Sequence, residues 1–262
     1  SSAASDVYKR QKMSYYLMTN PGYMLGTILV GIAMVFSLYC QAKIKSTYAK
    51  YRRKQNSRGI TGAQVAREIL DSHGMTHVPV YEVHGELTDH FDPSNNSVSL
   101  SSDIYHGTTI ASCAVAAHEC GHAIQYHENY MPIRVRNAII PLCNVGNYLG
   151  WIAIMIGLAL GSTKLAFLGF FLMCGILAFQ IITLPVEINA SKRGLAILQS
   201  QYLNENEYAG AWQMLYAAAL TYVAGVCATL ASMLRILFMI LSSSNRDSNS
   251  ELQAETGNKK KN

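Results

Sequence analysis

The chain has 262 residues, 50% of them hydrophobic and only 14% charged, with a net charge of +5. A soluble domain carries about 25% charge, so this deficit excludes an ordinary soluble domain, and the apolar content excludes an unfolded chain. A basic nucleic-acid-binding domain is excluded on the same ground, despite the positive net charge.

Residues 1–12 precede the first methionine, Met13, and read as a non-native leader. Four runs then lack any Asp, Glu, Lys or Arg: Met13–Ala42, Asn137–Thr163, Leu165–Val186 and Tyr208–Leu234. Each holds about 20 mostly apolar residues, enough for a helix to cross roughly 30 Å of hydrocarbon. Their most apolar parts are Gly22–Cys40, Ile152–Leu160, Leu165–Leu184 and Leu215–Leu234. The first run, residues 13–42, is too long for a signal peptide and has no convincing small-residue cleavage site, so it reads as a retained membrane helix. Lys43, Lys45, Lys50, Arg52, Arg53, Lys54 and Arg58 follow it, against Lys9, Arg10 and Lys12 before it. That bias puts residues 43–136 in the cytoplasm and the N-terminus outside. Beside a membrane helix, the basic stretch suits lipid headgroups rather than nucleic acid.

The second and third runs form a membrane hairpin over residues 137–186, turning at Gly161-Ser162-Thr163-Lys164. Residues 187–241 return to the cytoplasmic face and then cross a fourth time, with Arg235 snorkelling to the interface. This sends the C-terminus out, against the preference of Lys259, Lys260 and Lys261. The Ser- and Asn-rich tail, residues 242–262, is predicted to be disordered. Cys40, Cys113, Cys120, Cys143, Cys174 and Cys227 form no CxxC pair and read as small buried residues rather than disulfides or metal ligands.

Within the polar middle, Thr61–Ser72 patterns as an amphipathic helix, capped by Thr61, with Val65, Ile69 and Leu70 on its apolar face and Gly74 as its stop. Val78–Val83 reads as a short strand made irregular by Pro79. Asp92–Asn96 is a turn, and Ser97–Leu100 alternates as a second strand whose edge could accept an extended peptide. Residues 109–126 (TIASCAVAAHECGHAIQY) are Ala-rich, free of proline and predicted helical.

That helix carries His118-Glu119-Cys120-Gly121-His122. Histidines at i and i+4 share one helical face and can bind a single ion, for which imidazole ligands suggest zinc. Glu119 lies beside that face, where it can take a proton from a bound water. Polar residues in an otherwise apolar helix need partners, which also favours a metal. A catalytic zinc uses three protein ligands and one open position. Glu187 is the leading third ligand: it ends the third membrane run in Leu184-Pro-Val-Glu-Ile-Asn-Ala-Ser191, two crossings after His122 and so on the same face, and Pro185 can kink the helix toward the site. Asp103, Asp89 and Asp92 are the alternatives. His127 falls at the end of the motif helix.

Five stretches together carry a resemblance: Thr61-Gly-Ala-Gln-Val-Ala66, Leu87-Thr-Asp-His-Phe-Asp-Pro93, Ala117-His-Glu-Cys-Gly-His-Ala123, Leu184-Pro-Val-Glu-Ile-Asn-Ala-Ser191 and Leu220-Thr-Tyr-Val223. From about Tyr15 to Leu241 the chain resembles the YugP-type neutral zinc metallopeptidases of bacterial membranes. Its arrangement is also similar to that of HtpX-type membrane proteases, which take a glutamate after a membrane hairpin as third ligand, strengthening Glu187. Those proteases carry an aspartate four residues further on, where this chain has Ser191. The partner of a motif histidine is then Asn189, Ser191 or Asp89.

The expected fold is mainly α: a polytopic bacterial membrane protein with about four transmembrane helices and a small α+β zincin-like domain. The expected activity is peptide-bond hydrolysis with one Zn²⁺ on His118, His122 and Glu187 and with Glu119 as general base. His90 and Tyr222 are candidates for stabilising the oxyanion. The expected partners are peptide or protein substrates, membrane proteins among them, and the bilayer, with no nucleic acid. The competing reading is a zinc-binding membrane scaffold that no longer cleaves, against which Glu119 stands.

Overall fold

Pro21 opens the first long helix where a missing N–H costs nothing, and the Asn20 side chain accepts from the Tyr23 amide at 3.1 Å as its cap. In the computed structural model, which describes residues 20–259 with side chains to Ser244, this helix is α1 (Pro21–Tyr51). Then come α2 (Gly62–Ser72), β1 (Val80–Val83), β2 (His90–Asp92), β3 (Ser97–Ser101), α3 (Ser102–Tyr105) and α4 (Ile110–His127). Three long helices complete the chain: α5 (Met131–Ala159), α6 (Thr163–Gln201) and α7 (Glu205–Lys259). The protein is a mainly α membrane protein with one small sheet. Among the described residues, four helices are long and apolar enough to cross a membrane: α1, α5, α6 and α7 as far as Ser244. The leader at residues 1–12 lies outside the described residues.

The chain divides into two compact units. The first contains Ile139–Phe179 and, from the flanking helices, residues 20–36 and 225–259. Its helices approach through small residues. A Cβ on Gly169 would fall 2.5 Å from the Gly150 carbonyl oxygen, and one on Gly26 would fall 2.7 Å from the Arg235 Cα. Backbones this close are typical of helices packing in lipid. Ile154, Ala166, Ile236 and Ile240 are buried between them, while Leu142 and Leu160 (74% exposed) and Phe171 (68%) point outward.

The second unit comprises Ser37–Ala138 and Gln180–Ala224. Thr61 caps α2 with a full capping box: its hydroxyl accepts from the Gln64 amide while the Gln64 side chain accepts from the Thr61 amide. Val65, Ala66, Ile69 and Leu70 are then buried, with α2 packed against α4. The sheet order is β1-β3-β2, with β1 parallel and β2 antiparallel to β3.

Several expectations need correcting. Ser97–Ser101 is the central strand, buried at every position. Its neighbours occupy both of its edges, so it cannot accept a peptide there. The unforeseen edge strand His90–Asp92 has three residues, too few for an alternation to register. Glu187 does not end a helix: α6 continues to Gln201 with Pro185 inside it. Residues 188–201 contain no proline, and Ala190, Lys192, Arg193, Leu195, Ala196, Leu198 and Gln199 are good helix formers that help carry the chain past the local loss at Pro185. Disorder is predicted from Ser242, yet the backbone is helical to Lys259. That stretch has no proline, and Glu251-Leu-Gln-Ala-Glu255 favours helix; residues 260–262 lie outside the described part.

Candidate metal centre

Helix α4 starts at the Thr109 cap, whose hydroxyl accepts from the Ser112 amide at 3.1 Å. It is buried along most of its length, so each polar side chain on it must find a partner in the protein. The partners come from α6. A Cβ on Gly121 would lie 2.5 Å from the Ala190 carbonyl oxygen, and one on Gly194 would lie 2.7 Å from the Ala117 carbonyl oxygen. Gly121 therefore sits inside the His118–His122 motif for a steric reason: only a residue without a side chain lets the two backbones meet there. That contact sets Glu187 against both histidines.

The His118 and His122 Nε2 atoms each lie 3.4 Å from the same Glu187 oxygen, Oε2. One ligand atom from each of the three residues falls within 4.8 Å of the others, and among the described residues no second such cluster occurs. The imidazole rings stand nearly perpendicular, at 84°. Their far nitrogens are anchored. His118 Nδ1 lies 3.1 Å from Ser191 Oγ, and His122 Nδ1 lies 3.1 Å from Gln125 Oε1. An amide oxygen only accepts, so His122 donates from Nδ1 and keeps the Nε2 lone pair for the centre. Gln125 is held in turn, donating to the Val186 carbonyl at 2.8 Å and to Asn189 Oδ1 at 3.0 Å. Asn189 also accepts from Arg193, which pairs with Glu128. This chain of bonds ties α6 to the C-terminal half of α4.

The donor set fits a metal ion. Glu187 Oε2 is buried and has no hydrogen-bond partner, a costly state for a carboxylate unless a cation meets it. Two imidazoles and one carboxylate, with room for a fourth ligand, suit zinc. The site's demand for positive charge also shows in His122. Burial opposes its charged form, but the neighbouring carboxylates of Glu187 and Glu119 raise its pKa.

Two cavities meet at the centre. One, about 160 Å³, is lined by Asp89, His90, Phe91, Pro93, Ile133, Arg136 and Asn137. The other, about 330 Å³, is mainly apolar, with Ile44, Leu87, Val115, Met214 and Ala218. His118, Glu119, Glu187, Asp89 and Tyr222 line both. The three acidic alternatives to Glu187 are engaged elsewhere. Asp89 accepts from the Ser101 amide and hydroxyl, and burial raises its carboxyl pKa. Asp92 holds the turn through Ser94 and Asn95, and Asp103 pairs with Arg52. His90 and Tyr222 do reach the smaller cavity.

Sequence reasoning missed Gln125 and Arg136. A buried amide one turn past His122 in an Ala-rich helix was the available signal for the first. For the second it was an arginine at the mouth of an uncharged run. Arg136 Nη2 lies 3.7 Å from Glu187 Oε1.

A family model described as "Putative neutral zinc metallopeptidase" matches residues 26–241. The chain is 41% identical over 227 residues to "Putative membrane protease YugP" of Bacillus subtilis (strain 168), across 86% of this chain and 100% of that one. No solved structure matches. A match over this much of the chain, centred on residues that fold into a two-histidine, one-glutamate cluster, assigns the protein to that neutral zinc metallopeptidase family.

Proposed function

We propose that this protein is a multi-pass membrane metallopeptidase that hydrolyses peptide bonds in peptide or protein substrates at a cytoplasm-facing site holding one zinc ion. The observation that carries the reading is the convergence of His118, His122 and Glu187, with ligand atoms within 4.8 Å of one another, next to the buried Glu119. When bound, the ion would lower the pKa of a water toward about 7 and polarise the scissile carbonyl. Ser191 and Gln125 keep the two imidazoles turned so that Nε2 faces the centre. Glu119 accepts the proton of the attacking water and returns it to the amide nitrogen as the carbon–nitrogen bond breaks. Tyr222 and His90 are placed on the cavity wall to donate to the oxyanion. The cytoplasmic orientation rests on the basic residues that come after the first apolar run.

The test is cleavage of casein or a membrane-protein substrate by the full chain in detergent. It compares wild type, Glu119→Gln and a chelated sample. Expected is loss of about 10²- to 10⁴-fold in rate for Glu119→Gln with zinc retained, and loss with chelation that zinc restores. Equal cleavage by all three defeats the peptidase reading. Stoichiometric zinc with no cleavage by wild type supports a scaffold instead.

A further inference from the structure

The two cavities at the metal centre differ in chemistry, and one arginine makes the difference. The larger is walled by side chains such as Leu87, Val115 and Met214, while the smaller has Arg136, Asn137 and His90. Both are bounded by His118, Glu119 and Glu187, so an extended chain lying across the centre would place its two sides in unlike surroundings. Arg136 is under-used by the protein. Among the described residues its one ion pair, to Glu187 Oε1, is long at 3.7 Å, and its Nε is buried with no hydrogen-bond partner. The neighbouring carboxylates do not absorb it. Asp89 is held by Ser101, and the other oxygen of Glu187 faces the histidines. A buried guanidinium N–H left unpaired is costly, and the planar fork of arginine matches a carboxylate with two parallel bonds.

We propose that Arg136 makes the smaller cavity a carboxylate subsite. The peptides cut here would then carry an apolar side chain on one side of the scissile bond and a carboxylate on the other. That carboxylate comes from a chain terminus or from an acidic side chain. This inference rests on the peptidase reading but has a binding readout of its own.

The test uses full-length, zinc-loaded Glu119→Gln protein in detergent and fluorescently labelled Leu- and Ala-rich peptides. One peptide has a free C-terminus, one an amidated terminus, and one an amidated terminus with an internal Glu. Fluorescence anisotropy is expected to show about 10- to 100-fold tighter binding for a carboxylate-bearing peptide than for the neutral one. Whichever carboxylate peptide gains identifies the source. Adding Arg136→Gln removes the difference with zinc content unchanged, and Arg136→Glu shifts the preference to a Lys-bearing peptide, which a merely structural role would not produce. Equal binding of all three peptides, or a preference that survives Arg136→Gln, overturns the carboxylate subsite alone. Failure of wild type to cut the tightest-binding peptide overturns the peptidase reading, and with it the claim about which peptides are cut.

Discussion

The two units of this protein use glycine in the same way and large apolar residues in opposite ways. In the apolar unit, Gly150 and Gly169 bring two helices into backbone contact, and Leu142, Leu160 and Phe171 turn outward. In the other unit, Gly121 and Gly194 bring α4 and α6 together, but Val65, Ile69, Leu70 and Leu100 are fully buried. The first has no large core of its own and takes its solvent from the bilayer; the second is built like a soluble domain around Ala-rich α4. Glycine contacts in the first unit pack helices together, whereas in the second they bring together the side chains of the candidate metal centre.

Breaking the glycine contact at the centre is expected to have the largest effect. Gly121→Val forces a side chain into the Ala190 carbonyl and should abolish both zinc binding and cleavage. Metal analysis of the purified protein checks this, and full zinc content would remove the claim that close approach builds the centre. Leu70→Ala should lower unfolding stability by about 2–5 kcal/mol through the cavity it leaves. Leu142→Ala should change it by less than about 0.5 kcal/mol, and similar costs for both would erase the contrast between the units. Gln125→Leu frees His122 Nδ1 and should weaken zinc affinity about 10- to 100-fold without unfolding the chain, as competition with a chelator would show. Thr61→Ala, which removes the α2 cap, should cost about 1 kcal/mol and leave zinc affinity untouched.

Features carried by neighbouring residues were legible in the sequence, and features that need distant segments were not. Four apolar runs stand out because charge is absent over whole stretches, and they coincide with the long helices α1, α5, α6 and α7. The Thr61 cap is likewise written in adjacent residues, as are the paired histidines four apart on one face of α4. Strand order was not legible, because whether Ser97–Ser101 lies at an edge depends on His90–Asp92 folding back onto it. Glu187 stood out by its position after an apolar run. Its place in mid-helix did not, since an interior proline either breaks or merely kinks a helix, and adjacent residues alone do not decide which. Ser191 was one of three options as a histidine partner, and 73 residues separate it from His118. Gln125 and Arg136 carry no motif. Their roles arise only when α4, α5 and α6 stand together around Glu187.

The central proposal is that His118, His122 and Glu187 hold one zinc ion within the unit that has the large apolar core. The most direct measurement is the zinc content of the purified full chain in wild type, Glu119→Gln and Glu187→Ala. One zinc per chain is predicted in the first two, and loss of zinc in Glu187→Ala with the fold intact by circular dichroism. Full zinc retention in Glu187→Ala would contradict the assignment.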